Sequence, residues 1–62
     1  MRVAERLVEA RGNTPRKEVA DAVGVSLSAL SMYESGQRIP RDEIKVKLAQ
    51  YYGTTVQALF FT

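Results

Sequence analysis

The stretch RKEVADAVGVSLSALSMYES, residues 16 to 35, constrains the fold more than any other part of the chain. It reads as two short helices joined by a tight turn, with a small residue, Ala20, and a glycine, Gly24, where such a joint needs them. Helices that cross steeply come closest near their joint, and alanine at position 20 lets the two backbones approach. Gly24 accepts a positive φ at no steric cost, whereas a β-branched residue there would be strained. Val19, Val23, Val25, Leu30 and Tyr33 supply the apolar inside, and helical geometry leaves Leu27, Ser28, Ser31, Met32 and Ser35 outward. That outer face carries no charge. A helix pair of this kind most often places its second helix in the major groove of DNA; the plainer alternative is a helical hairpin inside a small bundle.

The remainder of the chain predicts further short helices. The glycines each follow an apolar-periodic run and mark helix ends. A first helix is predicted from about 3 to 10, with Val3, Leu7 and Ala10 on one face. Thr14 is expected to cap the second, with Pro15 at its first position, where the fixed φ fits and the missing N–H is not needed. Ser26 is the expected cap of the third, with Val25 packing on Leu30 as a hydrophobic staple and an end near Ser35. The loop GQRIP closes at Pro40. A fourth helix follows from about 42 to 52, with Ile44, Leu48 and Tyr51 at helical spacing and Asp42 and Glu43 in its first turn, where the helix dipole favours negative charge. Thr54 or Thr55 begins a last short helix carrying Val56, Leu59 and Phe60. No segment alternates apolar and polar residues for more than a few positions, so strands are not expected. The prediction is all-α: a compact five-helix bundle forming one domain over residues 1–62, with the helix-turn-helix at about 15–35.

Composition narrows the chemistry. The chain has no cysteine and no histidine, which removes disulfides, the common zinc sites and the serine–histidine and cysteine–histidine nucleophilic pairs. No metal, cofactor or enzyme activity is expected. A domain of this size buries only about 60% of its unfolded surface, so a partner subunit is the expected additional source of stability. Nine Lys and Arg face seven Asp and Glu, a surplus compatible with nucleic-acid binding without demanding it. From Leu48 to Thr62 there is no charged residue. No run approaches the roughly 18 apolar residues of a membrane span and no signal peptide is evident, so the expectation is a soluble intracellular domain with no membrane partner.

The strings TPRKEVADAVGVSLSALSMYESGQRIP and KLAQYYGTTVQALF resemble the lambda-repressor-like family of helix-turn-helix regulators, also called the Cro/repressor or XRE class. The resemblance runs from about Glu5 to Phe60, and EVADAVGVS, the YESG end of the third helix and the proline closing the loop are its most specific parts. It implies a compact bundle of five helices that usually binds DNA as a dimer. It implies that Ser26, Leu27, Ser28 and Met32 are groove-facing, with Ser31 beside them, and that Gln37 and Arg38 lie in a loop that grips phosphate. Arg16 stands where the family usually has a glutamine that touches phosphate and braces the third helix. Glu34 matches a buried acid paired with a first-helix arginine, for which Arg11 is the candidate, across a stretch two residues shorter than usual.

On this reading Arg16, Lys17, Arg38 and Arg41 contact phosphate, while Lys45 and Lys47 are solvated surface charges. The outward face of the third helix lacks the Arg, Lys, Asn and Gln that make bidentate base contacts. Ser28 and Ser31 can bond to several bases, Leu27 and Met32 can touch thymine methyls, and Ser26 is mainly a cap. Modest specificity, leaning on thymine methyls and DNA shape, is expected. Two adjacent phenylalanines on a short terminal helix cannot both point inward, so Phe61, with Tyr51 or Tyr52, is the candidate homodimer surface. The expected function is a sequence-specific double-stranded-DNA-binding repressor, a cytoplasmic, nucleoid-associated protein of a prokaryote or phage acting on a near-palindromic operator. No ligand-sensing domain is seen, so control by concentration, a regulatory protein partner or degradation is expected. The alternative is a protein-interaction module, such as an antitoxin or adaptor, using the apolar face of Leu27 and Met32.

Overall fold

Leu7, Leu30 and Leu48 have no exposed surface, and around them close Val19, Ala20, Val23, Tyr33, Ala49, Leu59 and Phe60. The computed structural model describes residues 3–61. Its elements are α1 (Val3–Arg11), α2 (Arg16–Val23), α3 (Leu27–Ser35), α4 (Asp42–Tyr51) and α5 (Val56–Phe60), with no strand among the described residues. Each helix is amphipathic enough to send at least one large apolar side chain to the same centre. Burying each leucine stabilises the fold by about 1.5–3 kcal/mol. A Leu30→Ala change would cost about 2–5 kcal/mol, much of what a domain this small has to spare.

The principal helix contacts form a ring: α1 packs on α3, α3 on α2, α2 on α4, α4 on α5, and α5 back on α1. Two polar bonds tie that ring at its outer edge. Arg6 donates to the Ala58 carbonyl at 2.9 Å, joining α1 to α5, and the Tyr51 hydroxyl donates to Glu18 at 3.3 Å, joining α4 to α2.

The joint between α2 and α3 has the form its residues predict. Gly24 sits at φ 79°, and its N–H and that of Val25 both donate to the Ala20 carbonyl, at 2.9 and 3.0 Å. No atom lies within 4 Å of where a Cβ would be, so glycine is required there by the backbone angle and not by crowding. Ala20 is 1% exposed. Ser26 caps α3 by accepting from the Ala29 N–H at 3.0 Å, and Thr55, of the two threonines considered, caps α5 by accepting from Ala58 at 3.0 Å.

Three local expectations are corrected. Pro15, not Thr14, is the residue before α2, and no side chain caps that end. The Pro15 φ of −59° with an extended ψ lets its carbonyl accept from Glu18, while the Thr14 carbonyl is taken by Arg11. Ala10 is exposed. The inward stripe of α1 runs Val3, Leu7, Arg11 at intervals of four, so Arg11 takes the place expected of Ala10. Lys45 is not a solvated charge: its side chain is 14% exposed and lies against Phe60 and Phe61.

Candidate nucleic-acid interface

The outward face of α3 is anchored from below by a buried acid. Glu34 points inward from the last turn of α3 with its side chain 2% exposed, and both carboxylate oxygens are bonded to arginines. Arg11 Nε donates to one oxygen at 2.8 Å and Arg16 Nε to the other at 2.9 Å. Arg11 also donates through Nη1 to the Thr14 carbonyl at 2.8 Å, so it holds the turn before α2 as well. One carboxylate therefore fixes the end of α1, the start of α2 and the last turn of α3 relative to each other. A buried ion pair of this kind is costly to break, because the remaining charge is left uncompensated.

The two arginines differ in exposure, 14% for Arg11 and 50% for Arg16. The three charges sum to one positive charge, and its accessible part is at Arg16. There Arg16 joins Ser28, Ser31, Met32, Ser35 and Gln37 around a cleft of about 480 Å³ with no carboxylate in its lining. Gln37 is held by its own N–H, which donates to the Met32 carbonyl at 3.0 Å. The structure thus brings together two of the candidate phosphate residues and three of the candidate base-facing ones.

Other candidates lie around this centre. Leu27 is 49% exposed at the start of α3, and the Ser26 hydroxyl oxygen is engaged as the cap. Arg38 and Arg41 line a second cleft with Val25, Tyr33, Ile39, Glu43 and Ile44. Arg16 and these two arginines thus line separate clefts, the second of which also holds the Glu43 carboxylate. Lys17 is exposed and pairs with Asp21 one turn on, at 3.1 Å, which offsets its charge locally. Ser35, on the outward face of α3, joins this site although its residue type alone assigns it no role. It lines the cleft, and its hydroxyl donates to the Met32 carbonyl at 3.2 Å.

The candidate dimer residues separate. Phe60 is buried and Phe61 is 57% exposed, with the Lys45 ammonium 5.0 Å from its ring centroid. Tyr51 is 40% exposed and bonded to Glu18. Tyr52 is half-buried against the core, edge-on to Tyr51 with ring centroids 5.4 Å apart, and is thereby largely withdrawn from any outer surface. Its buried hydroxyl has no hydrogen-bond partner among the described residues. Burial first, then the negative charge of Glu34, pushes its pKa up to about 12 against an opposing effect of Arg11. Tyr51 is also raised, by partial burial and then by Glu18.

Among the described residues no cluster of acids could hold a metal ion, and no helix is long and apolar enough to cross a membrane.

Residues 4–59 match the sequence model of the helix-turn-helix family. Over 61 residues the chain is 34% identical to the cryptic phage CTXphi transcriptional repressor RstR of Vibrio cholerae serotype O1, an alignment covering 95% of this chain and 54% of that protein. The chain therefore spans about half the length of this relative. With the five-helix architecture and the Ala20–Gly24 joint, the chain belongs to the helix-turn-helix family, of the XRE or lambda-repressor-like type.

Proposed function

We propose that this domain is a DNA-binding regulator of transcription, without enzyme activity, that inserts α3 into the major groove. The observation that carries the reading is the cleft in which Arg16 and Gln37 flank Ser28, Ser31 and Met32, with no carboxylate between them. Phosphates attract such a rim, and the uncharged helix face between can approach base edges without desolvating a charge. The similarity to a protein named a transcriptional repressor supports repression as the direction of control.

Arg16, Lys17, Arg38 and Arg41 supply the cations that would meet the backbone phosphates around α3. Ser28 and Ser31 supply tolerant hydrogen bonds, and Leu27 and Met32 supply apolar surface for thymine methyls. Two copies related by a two-fold axis, joined through Phe61 and Tyr51, would read half-sites roughly 34 Å apart in a near-palindromic operator.

In-vitro selection of random duplexes tests the reading, followed by a salt titration on the selected site. Four phosphate-contacting cations per subunit in a dimer imply a log–log salt slope of about −7. A protein-interaction module working through Leu27 and Met32 would instead yield no enriched duplex and a partner affinity nearly independent of salt. A guanine-rich, thymine-free selected half-site would overturn the thymine-methyl part of the reading.

A further inference from the structure

The bond between Arg16 and Glu34 lies 18 residues apart in sequence and joins the first residue of α2 to the buried end of α3. Arg11 alone would satisfy one oxygen of Glu34; the second oxygen is given to a half-exposed side chain at the rim of the cleft. An arginine has five N–H donors in one rigid plane. Fixing Nε on Glu34 fixes that plane, and among the described residues the Nη groups of Arg16 take no other partner. The Arg16 side chain is half exposed, which leaves donors of its guanidinium available to a ligand. A free surface arginine loses much rotamer freedom when it grips a phosphate, whereas one already held by a carboxylate has lost part of it on folding.

We infer that Glu34 is a positioning residue for DNA binding: it holds Arg16 in the orientation that meets a backbone phosphate beside α3. This rests on the DNA-binding reading and deepens it. The two arginines on Glu34 then have different tasks. The pair with Arg11, nearly buried, maintains the fold, and the pair with Arg16 presents charge. Lysine at position 16 would keep the charge but could neither match the carboxylate with a fixed fork nor present a plane.

A double-mutant cycle in DNA affinity tests this, using Arg16→Ala, Glu34→Gln and the double variant on the selected duplex. Arg16→Ala should weaken binding about tenfold in the native background and no more than about twofold beside Glu34→Gln. Arg16→Lys provides the arm that does not disturb the buried acid's charge. It should retain the native salt slope, since the phosphate is still neutralised, while losing about fivefold in affinity. If Glu34 is structural only, Glu34→Gln lowers the unfolding midpoint, the folded protein binds as before, and the cycle shows no coupling. That result, or native affinity in Arg16→Lys, overturns the inference while leaving the DNA-binding reading intact. Failure of the unaltered chain to enrich any duplex overturns both.

Discussion

The ammonium of Lys45 lies 5.0 Å from the ring centroid of Phe61 and 5.6 Å from that of Phe60, bridging one exposed and one buried aromatic residue at the end of the chain. Asp42, at 3.8 Å, is a distant and fully exposed partner by comparison. The lysine's contribution is therefore chiefly its apolar stem and its charge over the rings. Lys45→Ala should lower stability by about 1 kcal/mol, and Lys45→Met, which keeps the stem, by about half of that. Urea denaturation of the three proteins checks the order.

Phe61 presents most of its ring to solvent, so its replacement should leave the isolated fold nearly intact while removing the apolar centre of the proposed dimer surface. Sedimentation equilibrium should find the native chain dimeric and Phe61→Ser monomeric at the same concentration. Equal association states would exclude Phe61 from the interface.

Gly24 has space for a side chain and no conformation for one. Gly24→Ala should cost about 1 kcal/mol, within the range for forcing an L-residue into the left-handed region, and Gly24→Asn noticeably less. Gly24→Val should be the most damaging of the three. Thermal unfolding of the series separates backbone strain from crowding.

The capping hydroxyls of Ser26 and Thr55 act on different helices and share no partner. Ser26→Ala and Thr55→Ala should each lose about 1 kcal/mol, and the double variant should lose the sum. Denaturation midpoints at constant m-value test the additivity.

Tyr52 buries a hydroxyl that no partner satisfies, so Tyr52→Phe should be neutral or stabilising at neutral pH. Its pKa in the folded chain is raised from 10.0 to about 12, so the folded state holds that proton more tightly than the unfolded one. The contribution is fully present below pH 10 and is lost as pH rises toward about 12. Over that window the native chain should lose stability more steeply than Tyr52→Phe. Absorbance titration at the phenolate band should show one late-titrating tyrosine that the variant lacks.

The helices and the α2–α3 joint were legible because their signals are local. Val19, Ala20 and Val23 recur at helical spacing, Gly24 answers to one backbone angle, and Ser26 caps its own helix within three residues. What was not legible depends on how elements meet. The bond of Arg16 to Glu34 requires the crossing of α2 and α3, and nothing around position 16 announces it. Lys45 read as a surface charge because the aromatic rings that cover it, Phe60 in α5 and Phe61 just after it, lie fifteen and sixteen residues later and beyond a turn. Ala10 failed for a related reason: an arginine with a buried acid to reach outcompetes an alanine for the inward stripe of α1. The sorting of Tyr51 from Tyr52 needed the end of α4, since adjacent residues diverge there according to where the helix stops.

The ring of helix contacts has a consequence for how the chain can be cut. Because α5 returns to α1, and Arg6 reaches the Ala58 carbonyl, the first and last helices of the described chain lie side by side. The chain does not visit the helices in the order in which they touch, since α2 follows α1 but packs on α3 and α4. Joining the two ends with a linker and starting the chain instead in the turn before α4 would leave every helix beside the same neighbours. The order in which the helices are written along the gene is, for this domain, separable from the shape they enclose.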